Sequence, residues 1–345
     1  RYERSNRDTY EVSSLASSDI YGELPSGYEA GYVDSLSNRS HSRSNGHDLN
    51  VGVNYSDDTW MFNASLGVTP QRRTIDRKVG KLYADTAMNM IDFQPMIWMS
   101  WRKKEMRVSL NYNGNTRQPS LSDLMPLTDN SNPLYITRGN PDLKQMFSHN
   151  IRLNFQNSPK GISANLGGQV EQNSVTQVMI YDVQTGGRET YPVNINGNWN
   201  LSGGASWWKR FGHFSLRLDM SGNHSNRVGM INEDKSLQPE KSTTRDTGLN
   251  CEAQASYQPS WGGIDLSTSW NYQYSLNSLN DNDTYTRYYN FGLNGYVDFP
   301  FGLQLRTDAT YNLRSGTNIQ KGEDDEILWN AGATWRFLKK KEAEL

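Results

Sequence analysis

The most constraining feature of this chain is an alternation of apolar residues with polar or small ones, which returns in segment after segment. It is plainest from Asn194 to Trp208, where nearly every apolar residue is accompanied by a polar or small one. Successive side chains of a β-strand point to opposite faces, so each such segment has one apolar and one polar face. The apolar rows are long and rich in aromatic residues, and nothing else in the sequence pairs with them. We therefore predict an all-β chain whose apolar faces contact lipid: a large transmembrane antiparallel β-barrel.

Composition agrees with this prediction. Only 35% of the residues are hydrophobic and the mean hydropathy is -0.80, yet the chain holds 10 Trp, 19 Tyr and 10 Phe. Disordered chains are poor in aromatic residues, whereas a barrel with polar loops and a polar lumen combines low hydropathy with many of them. The near balance of 35 Lys+Arg against 37 Asp+Glu argues against a nucleic-acid partner. Cys251 alternates with Leu249 and Ala253, which indicates a small residue of an apolar face.

The apolar rows define about fourteen strands, each near the length that crosses a bilayer. The clearest rows begin at Leu49, Trp60, Met106, Ile151, Ile162, Trp199, Phe214, Leu249, Ile264, Tyr289, Leu303 and Ile327. Short turns alternate with long polar loops predicted around 13–40, 71–88, 117–146, 225–241, 276–285 and 315–325. This alternation is typical of outer-membrane barrels.

Aromatic residues beside the short turns predict a girdle at one membrane interface. They are Trp98, Trp101, Trp207, Trp208, Trp261, Phe299, Phe301, Trp335 and Phe337. Polar residues that alternate with the apolar rows are predicted to line the lumen. They are Arg152, Asn154, Asn165, Gln169, Glu171, Asn196, Asn198, Asn200, Arg217, Asp219, Glu252, Gln254, Asn271, Gln273, Asn294, Gln304, Arg306 and Asp308.

One block carries a family resemblance. It contains Arg117-Gln118-Pro119-Ser120, then Asp129-Asn130-Ser131-Asn132-Pro133-Leu134, and then Gly139-Asn140-Pro141-Asp142-Leu143-Lys144 before the strand from Phe147 to Phe155. It resembles the outer-membrane β-barrel family that forms the C-terminal barrel of many TonB-dependent receptors, with "QPS", "DNxNPL" and "GNPDLKPE" elements. Gln145-Met146 stands where that family favours Pro-Glu.

The resemblance implies a barrel of 22 strands that is closed by a separate plug domain, in the outer membrane of a Gram-negative bacterium. It also implies energised uptake through the TonB complex. Residues 1–345 are expected to form a single barrel-domain fragment, truncated at both ends, with the plug domain and the terminal strands absent from this chain.

Ligand-binding candidates are Arg138, Asn140 and Asp142, which lie in the long 117–146 loop. The Gly139–Leu143 motif is foremost a turn device, because Pro restricts φ and Asn and Asp cap nearby backbone groups. We predict no catalytic residues, no metal site and no cofactor. The histidines lack ligand spacing. The acidic clusters 281–283 and 323–326 leave calcium open, since neither has the pattern of an EF-hand loop.

The predicted function is TonB-dependent uptake of a small-molecule, peptide or glycan ligand, with outer-membrane lipid around the wall and a surface lipoprotein as a further partner. Deleting the 117–146 loop is expected to reduce uptake without unfolding the barrel. Two alternatives stay open: a passive porin, and a surface adhesion or assembly barrel without transport. The substrate and the oligomeric state are not readable from the sequence.

Overall fold

The computed structural model describes residues 2–11, 38–79, 82–126, 128–182, 184–232, 239–279, 283–317, 319, 325–337 and 343–344, and these form an almost entirely β structure. Within them, no helix is long and apolar enough to cross a membrane. The elements are β1 (Tyr2–Glu11), β2 (Asn38–His47), β3 (Leu49–Ser56), β4 (Trp60–Val79), β5 (Leu82–Lys103), β6 (Met106–Arg117), α1 (Leu121–Leu124), β7 (Thr128–Asn132), β8 (Tyr135–Arg138), β9 (Met146–Asn157), β10 (Ile162–Gln172), β11 (Ser174–Asp182), β12 (Gly187–Ile195), β13 (Trp199–Phe211), β14 (Phe214–Asn232), β15 (Glu240–Tyr257), β16 (Gly262–Asn277), β17 (Thr284–Asp298), β18 (Leu303–Gly316), β19 (Asp325–Phe337) and β20 (Ala343–Glu344).

An antiparallel ladder of neighbouring strands forms the wall. It runs through β1, β2 with β3, β4, β5, β6, β9, β10 and β13, and then through β14 to β19 in chain order. Strands β2 and β3 both pair with β4 and are separated only by Asp48, so they count as one wall strand. The described ladder then agrees with the predicted number of about fourteen strands. In the described part of the chain, no pairing joins β1 to β19.

Strand register places the predicted apolar rows on one continuous face. Residues directly opposite each other in neighbouring strands point to the same side of a sheet. One such row contains Phe155, Ala164, Ala205, Met220, Cys251, Trp270, Tyr289 and Leu313. Many large apolar side chains of this face are exposed, among them Val51 at 76% and Trp329 at 70%. A face of this size that the described residues leave uncovered fits contact with lipid.

The predicted lumen residues that lie on strands all occupy the opposite face. Asn294, for example, pairs with Asp265 on one side and Asp308 on the other. Asn196 and Asn198 are exceptions, because they lie between strands. The Oδ1 of Asn196 accepts a hydrogen bond from the Asn173 N–H at 2.7 Å, and the Oδ1 of Asn198 accepts one from the Val228 N–H at 2.8 Å. Residues 196–198 lie between β12 and β13, so the alternation from Asn194 to Trp208 is divided between two strands, and the row predicted from Trp199 is β13.

The aromatic girdle is confirmed in part. Trp101, Trp207 and Trp335 share the lipid face, but Trp98 pairs with Asn111 and Trp208 with Arg217 on the polar face. The prediction for those two is wrong. A position near a turn determines how deep in the membrane a side chain lies, but it does not determine whether the side chain points to lipid or to the lumen. Trp98 and Trp101 are separated by an odd number of positions, so they point to opposite faces.

A second aromatic level lies farther along the strands. The rings of Trp199 and His224 meet edge to face at 5.1 Å between centroids. From Trp207 to Trp199 strand β13 rises about 27 Å at about 3.4 Å per residue, or about 20 Å along the membrane normal at a tilt of about 45°. That is close to the apolar band of about 25 Å between the two girdles of an outer-membrane barrel.

Short and long connections alternate from β5 to β19 as predicted, but only two residues separate β4 from β5, and several predicted loops are strands. Residues 71–88 lie mostly in the long hairpin of β4 and β5, and β14 extends to Asn232 before β15 begins at Glu240. The 117–146 connection contains α1, β7 and β8, and residues 173–198 contain the hairpin of β11 and β12, which was not predicted. Most of the predicted 13–40 loop, and residues 281, 282, 323 and 324 of the acidic clusters, lie outside the described residues.

Candidate ligand-binding site

Two segments that leave the wall, residues 118–145 and 173–198, pack together at the end of the wall where the long connections lie. Strand β8 pairs in parallel with β12, and β11 pairs in parallel with the end of β14, from Met230 to Asn232. We call the assembly of residues 118–145, residues 173–198 and Met230–Asn232 the rim assembly.

The rim assembly holds most of the apolar core among the described residues. Leu124, Met125, Leu143 and Val178 are each at most 6% exposed. Burial of such side chains stabilises by about 1.5–3 kcal/mol each, before ordering costs are subtracted. The wall in contrast exposes its apolar side chains, so the part of the chain that folds like a soluble protein is the part beyond the membrane.

The Gly139–Leu143 motif joins the two segments. The backbone N–H of Asn140 donates to the carbonyl of Asp123, and its Nδ2 donates to the carbonyl of Pro192 at 3.0 Å. Its Oδ1 accepts a hydrogen bond from the Asp142 N–H at 3.0 Å, which closes an Asx turn. Gly139 packs so closely that a Cβ there would lie 1.9 Å from the carbonyl oxygen of Met125. The motif thus has the structural role that its turn chemistry indicates.

Arg138 also makes contacts inside the rim assembly. Its Nε lies 2.8 Å from Oε1 of Glu189, and its guanidinium lies 4.2 Å from the centre of the Tyr191 ring. A second pair mirrors the first across the same strands, with the guanidinium of Arg188 3.7 Å from the centre of the Tyr135 ring. These contacts lie between β8 and β12 and engage the Nε of Arg138 with Glu189.

Of the three predicted ligand-binding residues, the structure therefore brings Arg138 and Asn140 into internal contacts and leaves the side chain of Asp142 exposed. Their contact with a ligand stays a prediction. Asn194, which the sequence did not single out, connects more of the assembly: its Oδ1 accepts from the Lys144 N–H at 2.7 Å, and its Nδ2 donates to the carbonyls of Lys144 and Asn173.

Below the rim assembly, the polar face of the wall contains a recess of about 830 Å³. A second recess of about 480 Å³ adjoins it toward the rim and shares Asn113, Asn150 and Gln169 with it. The larger recess is lined mainly by side-chain amides and hydroxyls, with Trp98 and one charged residue, Arg152. The lining residues are Trp98, Ser109, Asn111, Asn113, Asn150, Ile151, Arg152, Asn154, Gly167, Gly168, Gln169, Asn200 and Ser202.

Sequence reasoning identified part of this recess. Arg152, Asn154, Gln169 and Asn200 were predicted to face the lumen, and they lie together in it. Trp98 was missed because it was assigned to the lipid girdle. The signal that would have placed it was the phase of the alternation along β5, where Trp98 falls between the apolar positions Ile97 and Met99.

Other chemistry is sparse. The described residues contain no group of three His, Cys, Asp or Glu side chains that could hold a metal ion. His149 contacts the hydroxyl of Tyr112 at 3.0 Å, and His224 contacts the hydroxyl of Thr247 at 2.8 Å. Both histidines lie in the second aromatic level and have hydrogen-bonded, structural surroundings.

Comparisons with known proteins point to the same class of protein. Residues 74–241 match the model of a family described as the outer membrane protein beta-barrel family. Comparison with curated proteins gave no match.

Solved structures similar to the chain include outer-membrane expressed OmpT of Vibrio cholerae and the beta domain of the Bordetella autotransporter Brka. The first is 7% identical, with a TM-score of 0.30 and coverage of 86% of this chain and 97% of that chain. The second is 10% identical, with a TM-score of 0.22 and coverage of 96% of both. Likenesses this weak carry no conclusion about function.

The family match agrees with the continuous apolar face, the polar opposite face and the two aromatic levels. This chain is a transmembrane β-barrel protein of the bacterial outer membrane. The coarser part of the resemblance is thereby confirmed. The number of strands in the complete barrel stays a prediction.

Proposed function

We propose that this chain is the barrel wall of a TonB-dependent receptor, which captures a ligand beside the rim assembly and imports it through a plugged lumen. The observation that carries the proposal is the continuity between the rim assembly and the polar recess. Asn113, Asn150 and Gln169 line both recesses, and Glu171 of the upper one accepts a hydrogen bond from the hydroxyl of Ser174 at 2.8 Å, where the rim assembly begins.

Order in the rim assembly supports a receptor over a passive pore. A surface that is already folded around Leu124, Met125 and Val178 loses less conformational entropy when a ligand binds than a flexible loop would. A pore that admits solutes by size alone has no need of such a surface.

Energised transport by TonB is supported by the resemblance of residues 117–155 to the barrels of TonB-dependent receptors. In the structure, this block supplies α1, Gly139 and Asn140, which order one half of the rim assembly. The plug and the segment that contacts TonB would be supplied by parts of the protein outside this chain.

The test is to insert the full-length natural protein into planar lipid bilayers and measure conductance before and after moderate urea. A plugged receptor is expected to be silent, and to open when urea unfolds the plug while the barrel persists. A steady open conductance without urea would identify a passive porin and overturn the proposal.

A second measurement addresses the energy source. The purified periplasmic domain of TonB from the same bacterium is expected to bind the full-length protein in detergent, and binding should disappear when the segment before the plug is deleted. A silent barrel that does not bind TonB would favour an adhesion or assembly barrel.

A further inference from the structure

The larger recess on the polar face has an ordered arrangement of side chains. Strand register places Trp98, Asn111 and Arg152 next to one another in one row across β5, β6 and β9. The row continues through Gly167 and Ser202 on β10 and β13, two small residues that leave the recess open beside the two large ones. The ring of Trp98, the amide of Asn111 and the guanidinium of Arg152 therefore lie side by side along the larger recess.

A second row lies two positions nearer the rim and consists of amides. It contains Asn113, Asn150, Gln169 and Asn200 on β6, β9, β10 and β13. Neighbouring strands lie about 4.8 Å apart, so this row extends over about 14 Å. Each amide offers both donors and acceptors.

Several of these groups are available to a ligand. The amide nitrogens of Asn150 and Gln169 donate to the hydroxyl of Ser148, each at 3.3 Å, and that of Gln169 also donates to Glu171 at 3.1 Å, which leaves their amide oxygens as acceptors. In the part of the chain that the structure describes, the side chains of Asn111, Asn113 and Asn200 make no hydrogen bond, and Arg152 is exposed with no carboxylate among the residues that line the recess.

From this arrangement we infer that the imported ligand is an oligosaccharide that carries a carboxylate. This inference rests on the proposed receptor function and names its substrate class. Vicinal hydroxyls both donate and accept, as the amide row requires. The flat apolar face of a sugar ring stacks on an aromatic ring such as Trp98, and a guanidinium such as that of Arg152 pairs with a carboxylate through two parallel hydrogen bonds.

The same residues disfavour a peptide. An extended peptide is held by a free strand edge and by pockets for alternate side chains. Strands β5, β6, β9, β10 and β13 are paired on both sides at the level of the recess. Its lining offers Trp98 as the one large apolar ring among amides, hydroxyls and glycines.

The experiment measures equilibrium binding to the full-length protein in detergent with an array of uronate-containing and sialylated oligosaccharides. Neutral oligosaccharides and short peptides of similar size serve as comparison probes. We expect selective binding of acidic oligosaccharides, and the best of them is then measured with the variants Arg152→Gln and Trp98→Ala. Each substitution is expected to weaken binding at least tenfold.

Matched controls lie on the same polar face outside the recess. Arg306→Gln removes a comparable exposed arginine, and Asn271→Ala removes an amide from the same face. The controls are expected to change affinity less than twofold. Equal losses in recess and control variants, binding of peptides alone, or no acidic oligosaccharide bound would each overturn the inference.

The two proposals fail in different ways. Binding at equilibrium needs neither TonB nor a plug, so acidic oligosaccharides that bind to an open or TonB-independent barrel would overturn only the proposed function. A silent, TonB-binding barrel that ignores them would overturn only the inferred substrate class. Loss of barrel stability rather than affinity in Arg152→Gln would give Arg152 a structural role in the wall and overturn the inference.

Discussion

At the scale of single residues, the rim assembly depends on close approaches that tolerate no added atom. Gly139 lies against the carbonyl oxygen of Met125, a residue that is 1% exposed, so a Cβ at position 139 must displace backbone. We predict that Gly139→Ala destabilises the rim assembly by about 1–3 kcal/mol, the usual cost of overpacking, and leaves the barrel intact. Hydrogen exchange of residues 118–145 measures the effect, and heat-modifiable migration on SDS gels reports on the barrel.

Gly229 provides the control for that substitution. A Cβ added there would have no atom within 4 Å, and the residue lies on β14 near the rim assembly. Gly229→Ala is expected to leave exchange rates unchanged. Similar exchange in the Gly139 variant and in the wild type would show that the approach to Met125 does not constrain the loop.

Asp57 governs the turn between β3 and β4. Its carboxylate accepts hydrogen bonds from the hydroxyl of Tyr55 at 2.6 Å and from the N–H groups of Thr59 at 2.7 Å and Trp60 at 2.6 Å. These bonds, that of Tyr55 foremost, lower the pKa of Asp57 below its ordinary value. A lowered pKa stabilises the folded turn above the unfolded pKa of about 3.9, and this contribution is lost as pH falls through the folded pKa.

We therefore predict that the Asp57 carboxyl titrates below about pH 3.9 in the folded protein. Carbon-13 NMR of the labelled carboxyl in micelles gives the midpoint. Asp57→Asn should leave the Thr59 and Trp60 amides less protected from exchange at pH 7 than in the wild type. A midpoint at or above the ordinary value would mean that the turn does not stabilise the charged form.

At the scale of elements, the backbone pairing of β8 with β12 is accompanied by two arginine–tyrosine contacts and one ion pair. Arg138→Ala removes the contacts to Glu189 and Tyr191 together. Because these groups are partly exposed, we predict coupling energies of about 0.5–1 kcal/mol for each pair. Double-mutant cycles on rim-assembly stability measure them. Coupling of zero to both partners would leave Arg138 free for a ligand, as the sequence alone suggested.

The elements also show what a local pattern can predict. The wall strands and their faces follow from period-two alternation, which a sheet between lipid and lumen imposes on every strand. Strands β11 and β12 lie in water, where no such alternation is imposed, and their parallel partners β14 and β8 are distant in sequence. The Gly139–Leu143 turn was predicted because its chemistry is local. The recess was found only in part, because its rows form across strands and Trp98 was given the wrong face.

At the scale of the whole molecule, the assignment of one face to lipid and the other to a wet lumen is testable with neighbouring residues. Leu293 pairs with Leu266 and Ala309 on the apolar face, and Asn294 pairs with Asp265 and Asp308 on the polar face. An arginine near the bilayer midplane on the lipid side costs about 2–4 kcal/mol, whereas a lumen position is hydrated. We predict that Leu293→Arg lowers the free energy of unfolding by about that amount, and that Asn294→Arg changes it by less than about 1 kcal/mol.

Unfolding by guanidinium in phospholipid vesicles, followed by tryptophan fluorescence, compares the two variants. Both variants introduce an arginine at adjacent positions of one strand, so the strand propensity of the new residue and the net charge of the protein are the same in both. Only the face differs. If both variants lose similar stability, the apolar face is covered by protein instead of lipid. If only Asn294→Arg is destabilised, inside and outside are reversed, and the polar recess with its amide rows would face away from any path through the barrel.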